Sequence, residues 1–493
     1  MHDQRGGLFS AEDLRRPAVI ALLTIAFLYP ILLCAVAFPT PYIDIRELTS
    51  WGLAFPLATW KHPPLQTWIN GLAALPGLSD AWYFMVLAQL CNLLALLYVA
   101  RIAHDFIGRH ALIPVVIVVG GSAYLSGSLP TIALNADQLQ APLWAALIYY
   151  AMRAARDDRW RGWILLGVLL ALSFLAKYFV LVLAAALLAA AVAVPQYRRI
   201  FGNVRLYAAG LLAALIVLPY LVALNSLPDA FRYSKIFFSQ ERTRLDALSN
   251  FLHPILLMVL PVGIAAIWLW PRGQIRIDRQ INPHVRFLLI ASATFAIFVL
   301  AMIAIGLDYS QRYSYSFLAI SAVLCLGVIR IEASGLLYLT RVMLVIWAVA
   351  LPGTFIYAFV DLRPQLREPA PAAATLIGQQ WVSKFKCGPS YIMGAKDAAF
   401  GVALYFRGPE RRVIGVSTDD YRYGAQWVDR DRIRRKGAVL IANNEVQLAR
   451  LFDRDFRDFS KHSAPMMLSL PYRHTWSDAR QTYAYAFIPP EGC

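Results

Sequence analysis

Long apolar stretches, separated by short polar segments, dominate the first 360 residues of the chain. Each stretch is long enough to cross a bilayer as a helix, so the pattern predicts about eleven transmembrane helices. Their approximate bounds are 17–38, 83–100, 111–127, 139–152, two short helices within 163–195, 206–224, 253–270, 287–305, 314–329 and 341–359. The run 163–195 is too long for one helix and has Lys177 in its middle, so we divide it there.

Beyond residue 360 the pattern changes to short apolar segments between polar turns. PSYIMG, RRVIGVST and GAVLIANN have the character of buried strands, whereas TLIGQQWVSKFK and VQLARLFDRDF have helical periodicity. Strands that alternate with helices are typical of an α/β domain. We therefore predict an α-helical polytopic membrane domain at residues 1–359 and a small α/β domain at residues 360–493.

Composition and charge support this division. Hydrophobic residues make up 59% of the chain, whereas soluble proteins rarely exceed half. The net charge of +16 comes largely from arginines in alternate predicted loops, which stay on the cytoplasmic side. We therefore place the N-terminus in the cytoplasm, and most Asp and Glu of the membrane domain, with the α/β domain, on the outer side. A nucleic-acid partner is excluded, because no basic patch is interleaved with exposed aromatics on a soluble domain.

The five cysteines do not predict a metal site. Cys34, Cys91 and Cys325 lie in apolar runs and are expected in the core. Cys387 and Cys493 lie in the C-terminal domain, and they could pair if that domain is outside the cytoplasm. The sequence has no CxxC or HExxH spacing, and we predict no metal ligands.

The first predicted outer loop, residues 41–68, carries the strongest candidate chemistry. Asp44 and Glu47 are three residues apart, so a helix would place them on one face. Either carboxylate could simply be solvated, but ionisable groups near a membrane are costly and are usually retained for a role. We predict that Asp44 is the general base for an acceptor hydroxyl or amine and that Glu47 is a second acid of the site.

Lys61 and His62 precede a Pro-Pro step in the same loop. Two prolines favour an extended backbone that holds the neighbouring side chains in place. Lys61 and His62 could contact a phosphate or, because Trp60 and Trp68 flank them, lipid headgroups.

Asp137 and Lys177 are further charged residues beside predicted membrane helices. Asp137 could orient a base, bind a sugar or cap the helix predicted to begin at Leu139. Lys177, followed by Tyr178, interrupts an apolar run, so it needs an anionic partner unless it extends to the surface. We favour a phosphate or carboxylate partner.

More charged residues lie in the later predicted outer loops. They are Arg232, Lys235, Arg242 and Arg244 in one loop, followed by Asp308, Arg312 and Tyr313 in the next. Positive charge on the outer side opposes the usual bias of membrane loops, so these loops favour an anionic ligand such as a lipid phosphate.

These motifs, in this order, resemble those of the GT-C membrane glycosyltransferases. The early Asp44 and the KHPPL string resemble the bacterial branch of the dolichyl-phosphate-mannose–protein mannosyltransferases and the aminoarabinose transferases that modify lipid A. NADQLQAPLWA, GVLLALSFLAKYFVLVL and QRYSYSFLAIS resemble later motifs of these families, and residues 408–441 resemble the end of their soluble domain. The chain departs from them at Ile45, where an acid usually follows the first Asp.

The resemblance implies an inverting glycosyltransferase of the bacterial inner membrane. Its donor would be a polyprenyl-phosphate-linked sugar, and its acceptor lipid A, another glycan or a protein of the envelope. The residues at corresponding positions are Asp44, Glu47 and Asp137 for catalysis, with Lys61, His62, Lys177, Tyr178, Arg312 and Tyr313 for donor binding. Some relatives use a divalent cation and others do not.

The alternative is a transporter or flippase for a lipid-linked sugar. Such a protein needs broken helices and repeat symmetry near the membrane midplane. The charged groups of this chain gather instead in predicted outer loops, which favours an enzyme that works at the membrane surface.

Overall fold

The computed structural model describes most of the chain. The described residues are 17–122, 134–227, 243–277, 281–307, 309–310, 318–360, 366–407, 413–423, 425–459, 461–475 and 478–492. Several residues named above lie outside these ranges, namely Arg232, Lys235, Arg242, Asp308, Arg312, Tyr313 and Cys493. Cys34, Cys91 and Cys325 are free thiols, and Cys387 is disulfide-bonded.

Apolar helices dominate residues 17–360, and every predicted span contains one. They are α1 (Pro17–Val36), α2 (Ile43–Gly52), α3 (Leu65–Ala73), α4 (Ala81–Ile102), α5 (Arg109–Val115), α6 (Ala136–Asp157), α7 (Trp160–Ala176), α8 (Val180–Ala193), α9 (Val204–Asn225), α10 (Arg244–Leu269), α11 (Pro283–Ala304), α12 (Leu318–Val328) and α13 (Ala333–Val360). Of these, α2 and α3 belong to the first predicted loop and the others form a bundle. The predicted class, a polytopic helical protein, is confirmed.

Helix length and hydropathy select fewer spans among the described residues than the sequence pattern predicts. Within the described ranges, five helices are long and apolar enough to cross a membrane, and up to seven if each of two bent pairs counts as one span. The predicted number of about eleven spans therefore stays a prediction.

The run 163–195 is broken where the sequence predicted. Helix α7 ends at Ala176, and Lys177 has an extended backbone with φ −166° and ψ 136°. An extended residue cannot continue a helix, so α8 begins anew at Val180. Lys177 therefore lies at the turn between two short helices.

The far end of the bundle is rich in arginine but also holds acids. Helix α6 has 22 residues, so its last residues lie about 33 Å from its start. There Asp157 pairs with Arg156 at 2.7 Å, and Asp158 pairs with Arg205 at 2.5 Å. These two acids neutralise adjacent arginines, and the predicted sidedness of the loops stays a prediction. Strands β1 (Ile275–Ile277) and β2 (Ile329–Ile331) form a two-stranded antiparallel sheet.

A five-stranded sheet organises the C-terminal α/β region, residues 366–492. Its strands are β3 (Tyr391–Gly394), β4 (Ile414–Ser417), β5 (Ala438–Ala442), β6 (Met466–Pro471) and β7 (Arg480–Ile488), in the order β4-β3-β5-β7-β6. β4, β3 and β5 are parallel and fully buried, and they are the three strands that the sequence predicted. β7 pairs antiparallel with β5, and β6 with β7; neither was predicted.

Helices cover this sheet. They are α14 (Ala370–Lys384), α15 (Lys396–Tyr405), α16 (Thr418–Arg422), α17 (Arg430–Lys436) and α18 (Glu445–Arg450). Three of them, α15, α16 and α18, begin just after one of the parallel strands ends. Because the carboxyl ends of parallel strands meet at one edge of a sheet, the starts of α15 and α16 lie side by side. This edge faces α2.

Helix α2 is packed into the core of the α/β region. Trp51 contacts Phe400 and Trp427, with ring centroids 6.3 and 5.4 Å apart. The Gly415 N–H donates to Ser50 Oγ at 2.5 Å, and Arg46 pairs with Glu368. The first predicted loop is therefore an ordered layer between the bundle and the α/β region.

Candidate active site

Helix α2 presents two carboxylates to one lysine. Asp44 lies in its first turn and Glu47 almost one turn later, so both side chains share one helix face, as their spacing predicts. Lys61, which lies in the loop after α2, donates to Asp44 Oδ1 at 3.2 Å and to Glu47 Oε2. Lys61 thus holds the two acids together.

The two carboxylates differ in exposure. The side chain of Glu47 is 1% exposed and that of Lys61 is 4% exposed, whereas that of Asp44 is 24% exposed. A buried charge is tolerated only with partners, and Glu47 has them. Asp44 is therefore the acid that an incoming molecule can reach, and Glu47 is the acid that fixes Lys61.

Asp137 and Lys177 form a second ion pair. Helix α6 begins at Ala136, and its cap is Asn135, whose side chain accepts from the Gln138 N–H at 3.0 Å. The capping alternative for Asp137, and the predicted start at Leu139, are therefore wrong. Asp137 instead pairs with Lys177, which has the carboxylate partner that an amine in an apolar run requires.

His62 lies within electrostatic reach of both ion pairs. Its pKa is well below the ordinary value because burial disfavours the charged ring and because the ammonium groups of Lys61, Lys177 and Lys396 repel it, against a smaller raising effect of Asp44. The imidazole is therefore neutral at pH 7. The three lysines and Asp44 therefore all lie within electrostatic range of the His62 ring.

The turn that carries Lys61 and His62 is held locally. Thr59 Oγ1 donates to the His62 carbonyl at 2.6 Å and accepts from the His62 N–H at 3.1 Å. The extended backbone predicted for the Pro-Pro step is wrong for Pro64, whose φ of −81° and ψ of −16° are helical because it caps α3.

Two glycines set the crossing of α2 and α3. A methyl group at Gly52 would lie 2.2 Å from the Thr67 carbonyl oxygen, and one at Gly71 would lie 2.2 Å from the Gly52 carbonyl oxygen. These oxygens belong to helix backbones and cannot turn away. The close approach brings α2, with Asp44, against the segment that carries Lys61.

We expect Gly52→Ala to reduce the free energy of unfolding by about 1–3 kcal/mol, because the added methyl group forces the helices apart. Thermal unfolding of the purified protein in detergent measures this. Gly210→Ala is the matched control, since its methyl group would meet nothing within 4 Å and alanine favours a helix. Equal melting temperatures for Gly52→Ala and the unchanged protein would contradict the crossing.

Tyr178, which follows Lys177 in the chain, packs among other aromatic side chains. Its hydroxyl bonds to that of Tyr220, and its ring packs on Phe174 with centroids 5.3 Å apart. The predicted donor residues Arg312 and Tyr313 lie outside the described residues.

Lys396 is a site residue that the sequence analysis missed. It opens helix α15, and its Nζ lies 3.0 Å from Glu47 Oε1. The sequence predicted the strand PSYIMG that precedes Lys396. The position of Lys396 just after the carboxyl end of this strand was the signal that could have identified it. The contact between residues 47 and 396 could not be inferred without the strand order.

Asp420 is a second site residue that the sequence analysis missed. Its side chain links the first predicted loop, residues 41–68, to the α/β region. It accepts from the indoles of Trp51 at 3.2 Å and Trp60 at 2.9 Å. Burial raises the pKa of Asp420 to about 6 against the lowering effect of the Trp60 and Ser417 hydrogen bonds, and nearby Glu47 adds to the rise. Burial likewise raises the pKa of Glu368, opposed by Arg46.

We expect the free energy of unfolding to fall as pH rises from about 4 to 6, by roughly 1.4 kcal/mol per unit from Asp420. The reason is that over this range the folded carboxyl, with a pKa of about 6, still holds a proton that the unfolded chain has lost. Unfolding at pH 4, 5 and 6 measures the slope. Asp420→Asn should remove its share and leave the share of Glu368, whereas Asp453→Asn, at an exposed position, should keep the full slope. Parallel profiles for all three proteins would refute the assignment.

A divalent cation does not fit between Asp44 and Glu47. The ammonium group of Lys61 occupies the place between their carboxylates. Among the residues that the structure describes, no group of three or more His, Cys, Asp and Glu side chains could hold a metal ion.

Comparisons with known proteins point to one fold. Residues 61–222 match the family described as dolichyl-phosphate-mannose-protein mannosyltransferase. The matched range includes Lys61, His62, Asp137 and Lys177, whereas Asp44 and Glu47 precede it. A search of curated proteins found no significant match.

Two crystal structures of ArnT from Cupriavidus metallidurans resemble the whole chain. The structure bound to undecaprenyl phosphate has a TM-score of 0.59 at 13% identity, and the apo structure has a TM-score of 0.56 at 14% identity. Each similarity covers 96% of this chain and 98% of ArnT. The protein therefore has the GT-C fold of membrane glycosyltransferases.

Proposed function

We propose that the protein is an inverting glycosyltransferase that moves a sugar from a polyprenyl-phosphate donor to an acceptor of the cell envelope. The observation that carries the proposal is Asp44, a partly exposed carboxylate that contacts Lys61 and lies, like Lys177, within electrostatic range of neutral His62. The similarity to ArnT bound to undecaprenyl phosphate supports a lipid phosphate as the carrier of the sugar.

The charges of the site suggest how a donor binds. The ammonium groups of three lysines are balanced by Asp44, Glu47 and Asp137. A lipid phosphate adds negative charge and competes for Lys61. Asp44 is the partner most readily displaced, since its contact with Lys61 is 3.2 Å long and its side chain already reaches water. Donor binding would therefore free Asp44 from Lys61.

The released Asp44 would act as the general base. It takes the proton of the acceptor hydroxyl or amine, whose oxygen or nitrogen then bonds to the anomeric carbon of the sugar. The bond from that carbon to the phosphate oxygen breaks, and the electron pair leaves with the polyprenyl phosphate. Attack from the side opposite to the phosphate inverts the anomeric centre.

Cations positioned at the phosphate would stabilise the charge that develops on the leaving group. Lys61 and Lys177 supply fixed positive charge, and neutral His62 can donate a hydrogen bond without adding to the charge. Asp137 acts through Lys177, so it is a positioning residue in this scheme.

The enzyme would work in a bacterial plasma membrane, with the α/β region on the outer side. The arginine-rich far end of the bundle would then face the cytoplasm. The acceptor is a molecule of that outer compartment, either lipid A, another glycan or a protein. A flippase would instead place its polar groups near the middle of the bundle, whereas the described ion pairs of this site lie at one end.

Mass spectrometry of lipids and envelope glycans tests the proposal. Cells with the gene should contain a glycan, lipid or protein carrying one sugar unit that cells without it lack. The deleted strain should also accumulate the sugar-loaded polyprenyl phosphate. Donor trapped on the cytoplasmic face in the deletion strain would identify a flippase, and identical acceptors in both strains would overturn the transferase.

A further inference from the structure

Lys396 reaches the site from the C-terminal α/β region. The chain turns at Gly394, where φ is +135° and a methyl group would lie 2.1 Å from the Ile441 carbonyl oxygen. This turn ends β3 and starts α15 at Lys396. A buried strand and a tight glycine turn therefore fix the position from which the Lys396 side chain extends to Glu47.

Glu47 holds two ammonium groups side by side. One of its oxygens bonds Lys61, and the other lies 3.0 Å from Lys396 Nζ. The two ammonium groups are consequently no further apart than one carboxylate and its two ion-pair contacts allow. Lys61 comes from the loop after α2, and Lys396 comes from a different part of the chain 335 residues later.

Lys396 is the second cation beside Glu47. Lys61, which Glu47 shares with Asp44, is buried, whereas Lys396 extends to the surface. The Lys396 side chain is 38% exposed, and its contact with Glu47 Oε1 is an ion pair without hydrogen-bond geometry. An ammonium group has three N–H donors. This arrangement leaves Lys396 able to bind an anion at the open side of the site.

We propose that Lys396 binds the donor phosphate together with Lys61, so that the lipid-linked donor is held between the membrane bundle and the C-terminal α/β region. This inference rests on the proposed function. It makes the α/β region part of the donor site, because the bundle alone would lack one of the cations. Glu47 is then the residue that holds both lysines at a spacing suited to two oxygens of one phosphate group.

Binding of undecaprenyl phosphate to the purified full-length protein in detergent tests this inference. Lys396→Met should weaken the Kd by about 10- to 100-fold, the range for loss of a hydrogen bond to a charged group. Lys396→Arg should retain most of the affinity because it retains the charge. Lys461→Met, at an exposed position of the same region, is the matched control and should bind as the unchanged protein does.

The outcomes separate this inference from the function on which it rests. If the unchanged protein binds undecaprenyl phosphate and Lys396→Met binds it equally well, Lys396 only links the two parts of the chain and the inference is wrong. If the unchanged protein does not bind undecaprenyl phosphate, the proposed donor is wrong as well. Lys396→Gln gives the same comparison should the methionine variant fail to fold.

Discussion

Asp44→Asn is expected to lower the turnover number for sugar transfer by about 100- to 10,000-fold, the range for loss of a general base. The amide has nearly the same shape as the carboxylate but cannot take the proton of the acceptor. Lys61 keeps its contact with Glu47, so the site should keep its architecture. The measurement is transfer from a purified polyprenyl-phosphate sugar, with turnover number and donor KM determined separately.

Two further measurements make this result specific. Asp80→Asn changes a carboxylate that lies 3.3 Å from the Tyr405 hydroxyl, outside the lysine group, and it should leave the turnover number within a few-fold. The melting temperature of Asp44→Asn should stay near that of the unchanged protein. Normal turnover by Asp44→Asn would remove this residue from the mechanism.

Lys61→Met is expected to have the second largest effect, on both stability and donor binding. It removes a buried ammonium group that holds Asp44 and Glu47. Breaking a buried ion pair by removing one partner costs about 3–5 kcal/mol, since the other charge is left buried. Lys396 still contacts Glu47 and should place the loss at the lower end of this range. Unfolding and undecaprenyl phosphate binding are the two measurements.

A double substitution separates the structural part of this effect from the functional part. Lys61→Met with Glu47→Gln removes the buried charge together with its partner, so stability should largely return. Donor affinity and transfer should stay low, because the phosphate still lacks its lysine. Recovery of transfer along with stability would show that Lys61 serves only to neutralise Glu47.

The sequence was sufficient for the parts of the site that depend on local patterns. The spacing of Asp44 and Glu47 predicted their common helix face, and the interruption of an apolar run predicted the turn at Lys177. The three buried parallel strands were also recognisable, because each is a short apolar run between turn residues.

Contacts between distant parts of the chain were not predictable from such patterns. Lys396 reaches Glu47, and Asp420 accepts from Trp51 and Trp60, across more than 340 residues of sequence. Both contacts depend on the order of the strands and on how the α/β region packs against α2. The failure to identify Asn135 as the cap of α6 has a local cause. Asn135 and Asp137 could each cap the helix, and the choice between them depends on one backbone turn.

These distant contacts change the role of the α/β region. Through Asp420, Glu368 and Lys396 it contacts the same short helix that carries the proposed base. A change in this region that leaves the bundle intact should therefore still alter the position of Asp44.

A structure of the protein with undecaprenyl phosphate bound, determined by cryo-electron microscopy, tests the central claim most directly. The account predicts that the phosphate lies within hydrogen-bond distance of Lys61 and Lys177, and that Asp44 no longer bonds to Lys61 but borders the space next to the phosphate. A phosphate bound elsewhere, for instance at the arginines near Asp158, or an Asp44 still bonded to Lys61 and closed off from the phosphate, would contradict it.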